Sequence, residues 1–167
     1  AQKEWDALET TIEPITAEQV KELVANKTGR VRVINVWSTT CGPCVAEFPD
    51  LIDTYRRYQR RPFDMITLSI DTKKDAEKAE KFIKKEHLPS SPHSLKAMKQ
   101  QGRATNNYHY QSNDLDALAD ALDAKWQGPI PHTVVIAPNG EILYRHTGPF
   151  DVVELRAAIV KGIEGIK

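Results

Sequence analysis

A β-prone segment runs directly into a cysteine pair in Val31-Arg32-Val33-Ile34-Asn35-Val36-Trp37-Ser38-Thr39-Thr40-Cys41-Gly42-Pro43-Cys44. Residues 31–36 are rich in β-branched side chains and predict a short buried strand. From Cys41 to about Tyr58, apolar residues recur at helical intervals, and Pro49 inside this run predicts a kink. The cysteine pair is therefore expected where a strand passes into a helix.

This position gives the two thiols different chemistry. Unpaired N–H groups and the helix dipole at a helix N-terminus favour an anion, so Cys41 is expected to be a reactive thiolate. Cys44 lies one turn further in and is expected to displace a partner from a mixed disulfide on Cys41. Gly42 lets a partner's backbone approach closely, and Pro43 suits the first helical turn because its missing N–H costs little there.

The bulk properties fit one soluble domain. The chain has 167 residues, 40% hydrophobic and 28% charged, with 23 acidic and 23 basic residues. Balanced charge provides no long-range field for nucleic acid. No apolar run is long enough to cross a bilayer, and no secretory signal is recognisable, although the sequence begins with Ala1 and is compatible with removal of a leader. Both cysteines lie in one motif, which favours a reactive or metal-binding pair over a structural disulfide.

The remaining pattern predicts an α/β fold. Residues 1–13 show no clear pattern, and a capping box from Thr16 to Gln19 begins a helix. The further predicted elements are a strand at Phe63–Ile70, helices at Thr72–Glu86, Leu95–Gln101 and Asp114–Ala124, a loop at Asn106–Asn113, hairpin strands at Thr133–Ala137 and Glu141–His146, and a last helix from Asp151 to about Ile163. Strand–helix–strand followed by a hairpin indicates one central mixed β-sheet flanked by helices.

Residues 33–49 resemble the active-site block of the thioredoxin superfamily, most closely that of the TlpA/ResA-like extracytoplasmic thiol–disulfide oxidoreductases. The resemblance implies a thioredoxin fold and a single domain over residues 1–167. The segment from about residue 88 to 127 is longer than its counterpart in the simplest family members, which predicts a helical insertion before the hairpin. This insertion is expected to be either a lid or partner-recognition surface, or an inert extension.

Four predicted site residues outside the cysteine motif come from this resemblance. Ile130 and Pro131 match the family's cis-proline position, which faces the cysteines and binds substrate backbone; an ordinary trans proline is the alternative. Glu47 matches an acid that exchanges a proton with Cys44, and a solvent-exposed Glu without that role is the alternative. Trp37 matches an aromatic beside the active site and is predicted to contribute to substrate binding, although a plain core position is equally compatible.

Three positions depart from the pattern of relatives. Asn35 stands where thioredoxins proper have a buried Asp, which favours the TlpA/ResA-type branch. Thr40 replaces a second Trp found in many relatives, which changes the usual flat partner-binding surface. His132 follows Pro131 where relatives often have Thr, and it either faces and tunes the cysteine pair or is a partly exposed residue without a special role.

The implied function is reduction of disulfides in partner proteins by the Cys41/Cys44 pair, with no cofactor, no metal and no nucleic acid. An unidentified electron donor would re-reduce the pair. The protein is expected to be a monomer outside the cytoplasm, in the periplasm or associated with the envelope, with a cytoplasmic location as the alternative.

Three other functions compete with this interpretation. A zinc site would use Cys41 and Cys44, but a strong structural motif would show a second ligand pair at short spacing. A peroxidase of the same fold would have proline where this chain has Ile34. A binding module that retains a vestigial cysteine pair stays open, because fold alone does not establish function.

Overall fold

The computed structural model describes residues 2–166. The helices are α1 (Gln2–Ala7), α2 (Ala17–Ala25), α3 (Gly42–Tyr58), α4 (Ala76–Glu86), α5 (Leu95–Gln100), α6 (Leu115–Leu122) and α7 (Val152–Glu164), with one 3-10 turn at Lys73–Asp75. The strands are β1 (Glu13–Ile15), β2 (Val31–Trp37), β3 (Phe63–Ser69), β4 (Asn107–Tyr110), β5 (His132–Ile136) and β6 (Ile142–Thr147). The strands form one sheet.

The sheet is mixed, as the sequence predicts. Its strand order is β1-β4-β3-β2-β5-β6. The first four strands in this order run parallel to one another, whereas β5 pairs antiparallel with both β2 and β6. Strand β2 is central and every residue in it is buried. The cysteine motif that follows β2 therefore lies at the edge where the parallel strands end and β5 begins.

Helices cover both faces of the sheet and define two cores. Alternate side chains of β2 enter opposite cores because successive residues of a strand point to opposite faces. The first core contains Val33, Trp37 and Cys44 together with residues of α3, α4 and α7. The second contains Ile34, Val36 and residues of α2 and α6.

Local sequence signals located several of these elements correctly. Thr16 caps α2 through a complete capping box with Gln19. Helix α3 begins directly after Cys41 and continues through Pro49 to Tyr58. The predicted hairpin is present as β5 and β6, which pair in register from His132–Thr147 to Ile136–Ile142 with one irregularity.

The predicted loop at residues 106–113 is wrong, because residues 107–110 form strand β4. All of its residues are buried, and it lies between β1 and β3. Asn107 accepts a hydrogen bond from Thr67 and donates to the carbonyl oxygens of Thr11 and Leu88. These contacts come from distant parts of the chain, so the local polar character of the segment was misleading. The lead-in at residues 1–13, for which no element was predicted, contains α1 and the first residue of β1.

The segment predicted as a helical insertion is accordingly part helix and part sheet. Between residues 88 and 127 the chain forms α5, β4 and α6. Helix α6 packs Leu118 and Leu122 into the second core, and β4 extends the parallel part of the sheet. The segment therefore contributes to the central sheet and to the second core as well as to the surface.

Candidate active site

The two cysteines form a disulfide at the N-terminus of α3. Cys41 is the N-cap residue of the helix, and its Sγ accepts a hydrogen bond from the backbone N–H of Cys44 at 3.3 Å. The Cα atoms of the disulfide-bonded pair are 5.3 Å apart. Cys41 is partly exposed, whereas Cys44 is fully buried in the first core. The two sulfurs therefore differ in access as the spacing predicts.

The predicted contact residues Gly42 and Pro43 lie on the surface beside Cys41. Both are exposed, and Pro43 occupies the first turn of α3. A Cβ built on Gly42 would meet no atom within 4 Å. Gly42 thus leaves open space next to the accessible sulfur, into which another chain can pack.

The Ile130–Pro131 peptide bond is cis, as predicted from the resemblance. It lies just before β5, whose His132 pairs in register with Val36 of β2. The carbonyl of Pro131 accepts from Gly148 N–H at 2.7 Å, and the carbonyl of Pro129 accepts from the Trp126 indole at 2.8 Å. The loop is therefore held at the same sheet edge as the cysteine motif.

Glu47 is buried on the inner side of α3, so the alternative of a solvent-exposed Glu is wrong. The side chain is 6% exposed. Its Oε1 accepts from Asn35 Nδ2 at 3.1 Å, and its Oε2 accepts from the backbone N–H of Phe150 at 3.2 Å. Burial raises the pKa of Glu47 from 4.5 to about 7, because the apolar surroundings disfavour the charged carboxylate, and the two N–H donors only partly offset this. Glu47 can therefore gain or lose a proton near neutral pH.

Trp37 does not form part of the accessible surface, which corrects its prediction as a substrate contact. The side chain is 0% exposed. Its ring packs against Phe48 and Phe82, with centroid distances of 5.0 and 5.1 Å. Trp37 lies on the face of β2 that points into the first core, where it packs against α3.

His132 is also buried. It neither faces the cysteine pair nor is partly exposed, so both predictions for this residue are wrong. It lies on the same sheet face as Val134, which belongs to the second core, whereas Cys44 is in the first. Its Nε2 contacts Asp123 Oδ2 at 3.1 Å and its Nδ1 contacts Thr147 Oγ1 at 2.8 Å. Burial lowers the pKa of His132 despite the opposing effect of Asp123. At neutral pH the neutral imidazole donates from Nε2 to the Asp123 carboxylate, which can only accept.

Sequence reasoning missed a buried carboxylate beside the cysteine motif. Asp71 follows β3 and is 3% exposed. It accepts hydrogen bonds from Ser38 and Thr39, the residues that connect β2 to Cys41. The sequence signal was two polar residues, Ser69 and Asp71, at the end of a buried strand. The cysteine motif follows the neighbouring strand β2 at the same end.

Residues 2–166 lack the features of two other kinds of site, a membrane span and a metal centre. No helix in this range is both long and apolar enough to cross a membrane. Nor do these residues contain a group of three or more His, Cys, Asp or Glu side chains placed to hold a metal ion.

A comparison with protein families matches residues 9–159 to the Redoxin family. The chain belongs to the redoxin family. Among curated relatives, the thiol-disulfide oxidoreductase ResA of Oceanobacillus iheyensis is 28% identical to this redoxin over 115 residues. The aligned region covers 68% of the redoxin chain and 47% of ResA, so the chain spans about half the length of that relative.

Solved structures confirm the thioredoxin fold. A thiol:disulfide interchange protein of the thioredoxin family from Chlorobium tepidum matches with a TM-score of 0.53 and 20% identity, covering 83% of each chain. One from a Bacteroides species gives 0.55 and 20% identity, covering 86% of the redoxin and 79% of its own chain. A DsbF homologue from Corynebacterium diphtheriae gives 0.56 and 16% identity, covering 83% and 75%.

The site of this redoxin joins three chemical features. It has a cysteine pair that forms a disulfide, a helix N-terminus that stabilises charge on the outer sulfur, and a buried carboxyl group with a pKa near neutrality. A thiolate is the nucleophile of disulfide exchange, and the helix N-terminus lowers the free energy of that thiolate. The arrangement suits thiol–disulfide exchange, in which the oxidised pair reacts with thiols of other molecules and the reduced pair reacts with their disulfides.

Proposed function

We propose that this redoxin is a thiol–disulfide oxidoreductase that reduces disulfide bonds in partner proteins. The observation that carries the proposal is the difference between its bonded sulfurs: Cys41 is partly exposed at the N-cap of α3, whereas Cys44 is buried behind it. A partner can reach only Cys41, and only Cys44 lies in position to release that partner.

The reaction begins with the reduced pair. The Cys41 thiolate attacks one sulfur of the partner's disulfide, and the other partner sulfur leaves as a thiolate. Cys44, once deprotonated, then attacks Cys41 Sγ in the mixed disulfide and expels the second partner thiolate. Two electrons pass to the partner, whose disulfide becomes two thiols after protonation, while Cys41 and Cys44 become the disulfide.

Glu47 is assigned the proton transfer that accompanies the second step. It lies three residues beyond Cys44, so both side chains share one face of α3. A buried thiol needs a base to become a nucleophile, and a carboxyl group with a pKa of about 7 is well matched to accept that proton at neutral pH. Glu47 returns the proton when the pair is reduced again.

The partner is expected to bind across Gly42, Pro43, Ile130 and Pro131. Gly42 and Pro43 are exposed beside Cys41, and the Ile130–Pro131 loop lies at the same sheet edge. The family resemblance adds backbone pairing between a substrate and the cis-proline loop. Residues 88–127 are a candidate for further partner contacts.

The wider assignment follows the same resemblance. We place the protein outside the cytoplasm, as a monomeric single domain over residues 1–167 without a bound cofactor, where a separate electron donor re-reduces the cysteine pair. The Cys-Gly-Pro-Cys sequence resembles that of reducing family members, which favours reduction over oxidation of partners.

Equilibration in dithiol and disulfide buffers tests this function. The pair should behave as a reversible two-electron couple, with a reduction potential nearer to thioredoxin at about −270 mV than to the oxidant DsbA at about −120 mV. The reduced protein should accelerate reduction of a protein disulfide by dithiothreitol, and the Cys41→Ser, Cys44→Ser variant should not. A pair that never exchanges with the buffer would instead indicate a binding module, and a potential near that of DsbA would reverse the direction.

A further inference from the structure

Asp71 connects the end of β3 to the segment that carries Cys41. It lies two residues beyond β3, the strand that pairs with β2, and its carboxylate is almost completely buried. A buried carboxylate is costly unless hydrogen-bond donors surround it. Here the donors come from two directions, and most of them belong to the segment that immediately precedes Cys41.

The donors on the cysteine side are Ser38 and Thr39. Asp71 Oδ1 accepts from Ser38 Oγ at 2.9 Å, from Thr39 N–H at 3.0 Å and from Thr39 Oγ1 at 2.6 Å. Thr39 N–H also lies 3.2 Å from Oδ2. Ser38 in turn contacts the Thr40 hydroxyl and accepts from Thr40 N–H, and its carbonyl accepts from Cys41 N–H at 3.2 Å. The carboxylate thus holds Ser38 and Thr39 directly, and Ser38 in turn contacts Thr40 and Cys41.

The other side of Asp71 is fixed to the sheet. Ser69 Oγ donates to Oδ2 at 2.6 Å and accepts from the Asp71 backbone N–H at 3.1 Å. His109 Nε2 lies 2.6 Å from the Asp71 carbonyl oxygen, so this nitrogen carries the proton that it donates. Strands β3 and β4 therefore hold the carboxylate in a defined place, from which it can orient a loop.

We propose that Asp71 is a positioning residue for thiol–disulfide exchange, which holds Ser38 and Thr39 so that Cys41 stays at the N-cap of α3. The role rests on the proposed function, because it concerns the reactivity of Cys41. The relevant contact is that of Cys41 Sγ with the Cys44 N–H. Without Asp71 the preceding loop loses its buried acceptor, and the thiolate loses its fixed place over the helix N-terminus.

Asp71 could instead influence Cys41 through its charge, and the two effects have opposite signs. A nearby negative charge disfavours a thiolate, so its removal would lower the pKa of Cys41. Loss of the N-cap position would raise that pKa, because the thiolate would lose the helix N–H and dipole. Four donor groups offset the carboxylate charge, namely Ser38 Oγ, Thr39 N–H, Thr39 Oγ1 and Ser69 Oγ. We therefore expect the positional effect to dominate.

The test is the pH dependence of Cys41 alkylation by iodoacetamide in the reduced protein, with the modified residue identified by peptide mass. Asp71→Ala should move the midpoint to higher pH and slow alkylation at neutral pH by about tenfold, within the roughly hundredfold that a misplacement of one ångström can cost. Asp71→Asn retains an acceptor and should restore most of the rate. An unchanged midpoint in Asp71→Ala, or one shifted to lower pH, would overturn the positioning role.

Asp64→Ala is the matched control. Asp64 is an equally buried carboxylate on β3, but it pairs with Arg30 at the opposite end of the strand. This variant should lose stability without changing the Cys41 profile. If Asp71→Ala does not fold, Thr39→Val removes one donor to Asp71 at nearly constant volume and should give a smaller shift to higher pH; no shift would contradict the proposal.

The wild-type profile separates failure of this role from failure of the proposed function. A wild-type midpoint near that of an ordinary thiol, about 8.5, would contradict the reactive thiolate itself and the positioning role with it. A depressed wild-type midpoint that Asp71→Ala leaves in place would contradict only the role of Asp71.

Discussion

Asn35 Nδ2 lies 3.1 Å from Glu47 Oε1 and 3.0 Å from Thr133 Oγ1, so one amide group joins the central strand, α3 and β5 inside the first core. Asn35 Oδ1 is buried and has no hydrogen-bond partner among the described residues. An amide can turn over and exchange its donor for its acceptor. Asn35 can therefore donate to ionised Glu47 or accept from protonated Glu47, which suits a carboxyl group that changes its protonation state.

Glu47→Gln is predicted to slow release of the partner from the mixed disulfide. The variant retains the shape of the side chain, and Asn35 can turn to accept from the new amide, but no group remains to take the Cys44 proton. The rate of the second step should fall by roughly 10²-fold or more, as expected for loss of a general base. Its pH profile should also lose the inflection near 7. Stopped-flow kinetics with a disulfide-containing protein measures both quantities.

Asp53→Asn is the control for this variant, because it removes an exposed carboxylate from the same helix. It should leave the rate and the profile as they are in the wild type. If Glu47→Gln also retains the inflection, another group carries the proton.

The same substitution should change how stability depends on pH. The pKa of Glu47 in the folded state is raised from 4.5 to about 7, so its contribution is fully present below pH 4.5 and is lost as pH rises through 7. This pKa shift of Glu47 corresponds to a change of roughly 3 kcal/mol in the free energy of unfolding. As pH rises from 4.5 through 7, the free energy of unfolding of Glu47→Gln should therefore increase relative to that of wild type, which loses the contribution of Glu47. Parallel curves for the two proteins in urea titrations at several pH values would exclude this linkage.

His132 is predicted to make the fold sensitive to acid. Burial lowers its pKa below 6.5 in the folded state, so its contribution is present above 6.5 and is lost as pH falls through the folded-state pKa. His132→Gln should reduce the loss of thermal stability on acidification, measured as Tm against pH. The exposed His93→Gln should follow the wild-type curve. A steeper loss in His132→Gln than in wild type would show that protonated His132 stabilises the fold through Asp123.

Trp37 is predicted to act through packing alone. Trp37→Ala should lower the free energy of unfolding by about 3–5 kcal/mol, because it empties a large buried volume. Trp37→Phe should cost no more than about 2 kcal/mol, since it keeps an aromatic ring and removes an indole N–H that has no partner among the described residues. The affinity of Trp37→Phe for a disulfide-containing partner protein should equal that of wild type. A selective loss of affinity at unchanged stability would restore Trp37 as a partner contact.

Sequence reasoning succeeded where a feature depends on neighbouring residues. The helix start at Cys41 follows from the strand before it and the helical repeat after it, and the capping box at Thr16 is complete within four residues. Strand β4 was missed because its Asn107 is satisfied by groups from three other segments. Asp71 and His132 share this difficulty: their roles depend on partners that only the folded chain brings close.

Disulfide trapping tests the division of labour between Cys41 and Cys44 most directly. Reduced Cys44→Ala, mixed with a disulfide-containing protein, is predicted to accumulate a mixed disulfide through Cys41, because no second thiol remains to release the partner. Cys41→Ala should trap little, because its remaining sulfur is buried. Peptide mass analysis of the adducts identifies the bonded residue. Trapping by Cys41→Ala in preference to Cys44→Ala would contradict the assignment of Cys41 as the attacking sulfur.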